Sequence, residues 1–474
     1  MDRLTKSFSV FDCDAHINDP LGVWDYVAES KKELVRQTYW RSESEAWLNG
    51  TTPTLGGGNE QFPNSYNPIC IAGPQMNKKI MRKLLSMVPL SDEQRRYVHH
   101  DGALDPHARI KEMDLMGIDQ VLVIPTMVIS NLPYAENAEG VEAFCQAYND
   151  FLVDWCGEVP ERLFGAALLP IADPERAAKE IYRAAGLGHR VALIRPIDAQ
   201  GKYPNLLSSD PTGRTDTYEA VFRAFEETGV VLGMHTFPAG RLASHPRGSD
   251  YLDSPGELFG LAGTDSQTFS FVHEAQSWLT QVLMSGLLNR FPRLKMAIFE
   301  SNAIWLPTVL TACDRLWKLY ASERGTTGER LPSEAFHQQS VISFESDEEG
   351  VFRQWSDFED VGIWASDAYH HDGADVWSAM RMMTDCKVPD HVQARLLGAN
   401  AANWYGIEPK VFVTEEAGPI DRPEWFPQGP ELEEWADLVA HPRENAARLL
   451  EMHEMMDPSR IAQRIGSAAP GGGY

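Results

Sequence analysis

Short apolar runs alternate with longer amphipathic stretches along most of this chain, and the two periods are distinct enough to define elements. Strands are predicted over residues 7–11, 120–125, 163–171, 191–194, 230–234, 294–299, 341–344 and 362–365. Between them the spacing predicts helices over 105–116, 136–157, 173–185, 216–228, 266–290, 303–322 and 348–356. Two more, over 374–384 and 390–404, follow the last strand. Asp105-Pro106 and Asp173-Pro174 pair a capping carboxylate with a proline suited to the first helical turn, and Gly117 and Gly186 are expected to close those helices. In 136–157 the residues Val141, Phe144, Cys145, Tyr148 and Leu152 share one face. Eight strands separated by helices imply parallel pairing and an α/β fold, a closed (β/α)8 TIM barrel. A doubly wound open sheet is disfavoured, because no Gly-x-Gly-x-x-Gly follows any strand.

Two stretches fall outside the pattern. Residues 18–104 hold Trp24, Trp40 and Trp47 and a tract Leu55-Gly56-Gly57-Gly58-Asn59. A connection this long is usually functional, and its tryptophans require burial, so it reads as an insertion roofing the barrel mouth. Residues 411–474 form an extension, with a charged helix near 442–456, that packs outside the barrel or on another subunit. The barrel itself is assigned to residues 1–410.

Composition narrows the functional classes. The 474 residues carry a formal net charge of -26, which argues against a nucleic-acid partner or an anionic membrane surface. No run of about 18 apolar residues occurs, and the N-terminus lacks the apolar core of a secretory signal. The six cysteines, at 13, 70, 145, 156, 313 and 386, are too dispersed for a disulfide framework or a cysteine zinc site. A cytoplasmic enzyme with reduced thiols, acting on a small molecule as a homo-oligomer, is the expectation.

The chemistry-bearing residues fall at the strand ends that face one mouth of such a barrel. Asp14 and His16, two apart, share a face of the first strand, so a carboxylate and an imidazole can grip one cation. Arg195 follows the fourth strand, His235 ends the fifth, Glu300 the sixth, Glu345 the seventh and Asp367 the eighth. Glu345 reads as a salt-bridged rim residue. Asp14, His16, His235 and Asp367 together make a mixed nitrogen–oxygen site for a divalent ion such as zinc, manganese or iron. His370 follows Asp367 by three and is expected to bond a ligand or act on substrate. His273, early in the helix after the fifth strand, reads equally as a core residue or as one near the metal. His99 and His100 read as surface residues.

The chain resembles the amidohydrolase superfamily, and within it the amidohydrolase-2 branch of aminocarboxymuconate-semialdehyde and resorcylate decarboxylases. The resemblance is carried by residues 11–16 (FDCDAH), 109–119 (RIKEMDLMGID), 285–294 (SGLLNRFPRL), 300–307 (ESNAIWLP), 366–370 (SDAYH) and 398–402 (GANAA). It implies metal ligands at Asp14, His16, His235 and Asp367. Asp14 stands where the family often has histidine, and Arg195 replaces the lysine that bridges two metals in some relatives. Glu300 replaces the histidine that decarboxylases carry after strand six. Glu300 could join a first or second metal or carry protons, Asp367 could orient a water, and Arg195 and His273 could hold substrate. An ionised glutamate cannot donate a proton to a substrate ring, so the expectation is metal-dependent hydrolysis of an amide, lactone or thioester. The alternatives are non-oxidative decarboxylation of a small aromatic or unsaturated acid, and a metal-free barrel scaffold.

Overall fold

The computed structural model describes residues 3–37, 101–195, 218–236 and 264–418, apart from 127, 130, 131, 133–136, 369, 371 and 372, together with the isolated positions 424 and 430. Its strands are β1 (Phe11–Ile17), β2 (Gln120–Pro125), β3 (Leu163–Leu168), β4 (Val191–Ile194), β5 (Val231–His235), β6 (Met296–Phe299), β7 (Ser340–Phe344) and β8 (Gly362–Trp364). They lie side by side in chain order, and every neighbouring pair is parallel. The ring closes where Ala15 bridges Ala368 and Asp367 N donates to Asp14 O at 3.1 Å. Most strands are buried along their whole length, as they must be when one face fills the barrel and the other meets helices. Trp364 on β8 and Trp278 and Trp377 on helices are among the largest fully buried side chains.

Helix starts follow the expected chemistry. The Asp105 side chain accepts from Ala108 N at 2.7 Å ahead of helix Pro106–Met116, and Asp173 accepts from Arg176 N at 3.2 Å ahead of Pro174–Leu187. The first helix ends at Gly117 with φ 79°, a left-handed turn at no Cβ cost. The second does not end at Gly186: it runs two residues further, and Gly188 takes the left-handed position. The stretch expected as one helix over 266–290 divides into Thr264–Met284 and Leu287–Arg290, with Gly286 at φ 72° between them.

Two further differences bear on the site. The first strand begins at Phe11, where the pattern predicts its end, and takes in Asp12, Asp14 and His16 with no exposure above 3%. Carboxylates read as a strand terminus, but hydrogen bonds inside the barrel satisfy Asp12. The helical stretch over 390–404 contains a π-helical turn, Arg395–Ala399. A Cβ on Gly398 there would lie 1.9 Å from Ser9 O, so glycine permits this turn to press on the chain entering β1.

The segment before β1 and the start of the extension meet at the opposite side of the strands from the mouth. Thr5 bridges Glu415 in antiparallel fashion, and Lys6 N donates to Thr414 O at 2.9 Å. The start of the extension therefore runs along the N-terminal segment. Most of the proposed roof, residues 38–100, and nearly all of the extension beyond 418 lie outside the described residues, as do His99 and His100. No helix among the described residues is long and apolar enough to cross a membrane.

Candidate metal centre and active site

Strand register sets the level of each side chain. Ile194 pairs with Met234 and His235 with Phe299, so Arg195 lies level with His235 and Glu300 one step beyond that level. Across the closure, Ala15 and Ala368 set Asp14 and His16 beside Asp367. The result is a buried cluster. His16 Nε2 is 3.4 Å from both Asp14 Oδ1 and Asp367 Oδ1. His235 Nε2 is 3.7 Å from Asp14 Oδ2 and 3.5 Å from Glu300 Oε2. His370 Nδ1 is 2.8 Å from Asp367 Oδ1 and 3.7 Å from Glu300 Oε1. The His370 ring stacks on His16 with centroids 4.1 Å apart, and the His235 ring meets His16 edge-on at 5.3 Å.

The backbone contributes to this convergence. Glu300 and Asp367, each just past a strand end, both adopt φ 49°. Non-glycine residues in the left-handed region cost about 1–3 kcal/mol each and persist where their surroundings over-determine them. For Glu300 the restraints are Ser343 Oγ, which accepts from Glu300 N at 3.2 Å, and Thr236 Oγ1, which donates to Glu300 O. The following turn is braced by Glu348, whose carboxylate accepts from Ala303 N at 2.8 Å and Glu345 N at 3.0 Å. Burial pushes Glu348 up to about 7.

The residues present suit a cation. Asp14 Oδ1, His16 Nε2 and His235 Nε2 are buried with no hydrogen-bond partner. Ligand atoms of Asp14, His16 and His235 lie within 4.8 Å of one another, and so do those of His16, Asp367 and His370. Lone-pair atoms stranded together in a dry interior are costly unless a positive charge accepts them. His235 Nδ1 is bonded to Thr236 O, which puts its proton there and leaves Nε2 as a lone pair facing the cluster. Burial, followed by the charge of a neighbouring histidine, lowers His16 to about 4 and His235 to about 3, so both rings are neutral, the ligating form. Burial and the charges of Asp367 and Glu300 raise Asp14 well above the carboxylate range. Burial acts the same way on Asp367, but His370 and His16 outweigh it and hold that carboxyl low. Conversely Asp367 and Glu300 outweigh burial at His370 and hold its imidazole high.

All four residues expected as ligands, with Glu300 and His370, thus come together. Arg195 is at the end of β4 but is 3% exposed, with its guanidinium 3.9 Å from the fully buried Glu274. The helix after β5 therefore turns Glu274 onto Arg195, while its neighbour His273 is half-buried. Glu345 lies on the braced turn with Glu348. Sequence reasoning misses Glu274, Glu348 and Arg109. Arg109 is buried after the insertion and donates through Nε to Gly102 O at 2.6 Å and through Nη2 to His16 O. Only Arg109 carried a local signal, a cation on the apolar side of a helix.

Residues 11–407 match the model of the family described as amidohydrolase. Over 192 residues the chain is 27% identical to gamma-resorcylate decarboxylase from Rhizobium sp. (strain MTP-10005), a match spanning 40% of this chain and 53% of that enzyme. The match thus takes in about half the length of such curated relatives. An amidohydrolase from Mycobacterium avium subsp. paratuberculosis K-10 superposes with a TM-score of 0.60 at 19% identity, covering 85% of this chain and 100% of that one. A 5-carboxyvanillate decarboxylase from Novosphingobium aromaticivorans, solved with manganese and a nitrobenzoic acid, superposes at 0.56 with 19% identity and coverage of 85% and 100%. Both have the same barrel fold.

These findings overturn the expectation of amide, lactone or thioester hydrolysis, since the curated relative is a resorcylate decarboxylase and a similar structure is a carboxyvanillate decarboxylase. The physical reason for that expectation also fails. It rests on Glu300 standing where an imidazole would be needed, and the structure sets the His370 imidazole beside Glu300.

Proposed function

The chain belongs to the amidohydrolase family, matched over residues 11–407, and from that premise we propose that it is a metal-dependent, non-oxidative decarboxylase of a small aromatic or unsaturated carboxylic acid. The observation that carries the reading is His370 standing 3.7 Å from Glu300 and stacked on the ligand His16, with 17% of its side chain exposed. A proton carrier thus borders the metal cluster on its open side.

Asp14, His16, His235 and Asp367 would hold a single divalent ion, because the two candidate ligand groups share His16. A donor set of two imidazoles and two carboxylates suits manganese, iron or zinc. When bound, the ion supplies positive charge that draws in the substrate carboxylate and an adjacent oxygen. The chain's own groups do the rest. Asp367 and Glu300 engage His370 through Nδ1 and so set the plane of its ring. His370 delivers a proton to the carbon that bears the carboxylate. As carbon dioxide leaves, the electron pair of the broken carbon–carbon bond becomes the new carbon–hydrogen bond. Arg195, level with His235 and facing Glu274, would attract a further anionic group of the substrate.

The test is carbon dioxide release from a panel of hydroxylated benzoic acids by manganese-loaded protein. Release that stops on chelation and returns with metal is expected. Intact acids across the panel, with the protein fully metallated, would overturn the proposal.

A further inference from the structure

The two carboxylate ligands of the proposed centre come from opposite sides of the only seam where the barrel has no regular ladder among the described residues. β8 pairs with β7, and beyond the lone Ala15–Ala368 bridge it shares no strand register with β1. On its other side β1 also breaks step, with a register shift against β2 between Asp12 and Ala15. The bridge consists of two backbone bonds, Asp367 N to Asp14 O at 3.1 Å and His16 N to Ala368 O, and with no ladder to extend them a side-chain tie has room to help set how far Asp14 stands from Asp367.

Asp12 is placed to do so. It is fully buried, two residues before Asp14. Its Oδ1 accepts from Ser366 N at 2.9 Å and from Asp14 N at 3.2 Å. Its Oδ2 accepts from Ser366 Oγ at 2.5 Å, and that hydroxyl in turn accepts from Ala368 N at 2.9 Å. One carboxylate thus ties the backbone on either side of Asp367 to the backbone of Asp14. It adds a side-chain rung beside the two backbone bonds of the bridge, Asp367 N to Asp14 O and His16 N to Ala368 O. It also helps hold Asp367 at φ 49°, the backbone turn that aims that side chain at the cluster.

We infer that Asp12 is a positioning residue for the metal centre: by clamping Ser366 to β1 it fixes the separation of Asp14 and Asp367. The inference rests on the metal-site reading above and goes beyond it in naming what sets the site's geometry. Groups that orient metal ligands through hydrogen bonds typically change metal affinity by about 10–100-fold when removed.

The experiment is a manganese titration of wild type, Asp12→Ala, Asp12→Asn and Ser366→Ala against a competing chelator, at a temperature where circular dichroism shows each to be folded. Asp12→Ala is expected to bind manganese about 10–100-fold more weakly. Asp12→Asn keeps an acceptor for Ser366 N and Asp14 N, and is expected to restore most of that loss. A purely structural role would lower the melting temperature of Asp12→Ala but leave its affinity for manganese in the folded state unchanged. That outcome overturns the inference. If Asp12→Ala does not fold, Ser366→Ala decides: weaker binding supports the clamp, and wild-type affinity overturns it. A wild type that binds no divalent ion sinks the metal reading and the inference with it, and so is distinguishable from failure of the clamp alone.

Discussion

His370 differs from the other two imidazoles of the cluster in what surrounds it. His16 and His235 are almost completely buried and present bare nitrogens to a common centre. His370 is partly open and has carboxylates of Asp367 and Glu300 at one ring nitrogen. Replacing it should therefore affect turnover rather than metal loading. His370→Asn is expected to lower kcat by about 10²–10⁴-fold, the usual scale for loss of a positioned proton carrier, with metal content unchanged. Metal analysis alongside single-turnover decarboxylation checks both halves. An unchanged kcat would remove His370 from the proton path, and loss of metal would make it a ligand instead.

At the scale of elements, the turn from helix Pro174–Leu187 into β4 shows how a side chain can lock a βα unit. His189 sits there, 6% exposed, with Nδ1 2.8 Å from Gly165 O on β3 and Nε2 3.3 Å from Asn149 O on helix Ala138–Gly157. Burial lowers its pKa below the ordinary 6.5, although both carbonyls and the Glu180 charge pull the other way. The unfolded chain then binds this proton more readily than the folded one. The contribution of neutral His189 is therefore complete above about 6.5 and is lost as pH falls from there towards the lowered folded value. His189→Gln keeps a donor for Gly165 O but does not titrate. Urea unfolding at pH 7.5 and pH 5.5 should show a smaller drop in stability for the variant than for wild type. Equal drops would mean that His189 is not an acid-sensitive part of this unit.

For the whole molecule, the ends of the barrel chain are held by one carboxylate. Asp119, at the start of β2, accepts from Lys6 Nζ at 2.5 Å, Val10 N at 2.8 Å, Phe412 N at 2.6 Å and Val413 N at 2.8 Å. Neither Lys6 nor Asp119 has an exposed side chain. Asp119→Ala strands a buried ammonium and three backbone N–H groups at once. The expected loss is about 3–5 kcal/mol, the range for breaking a buried pair from one side. Urea unfolding measures it, and a loss within about 0.5 kcal/mol, the size of an ordinary surface substitution, would show that the two ends are not tied through this residue.

The barrel and the four proposed ligands were legible in the sequence because both depend on local order. Hydrophobic period distinguishes strand from helix within a few residues, and alternation implies parallel strands whose ends share one mouth. Asp14, His16, His235 and Asp367 are therefore all directed to that mouth. The boundaries of β1 were not legible, since Asp12 and Asp14 look like a terminus until the groups that satisfy Asp12 are known. Nor were the partnerships of Glu300 with His370, Arg195 with Glu274, and Asp12 with Ser366. Each joins residues from about 70 to about 350 positions apart, and periodicity records which face a residue occupies, not which distant residue it meets there. Only closure of the ring brings the end of β8 against β1. The turns after β6 and β8, two strands apart in the sheet, set an imidazole beside Glu300, which removed the physical ground for expecting hydrolysis.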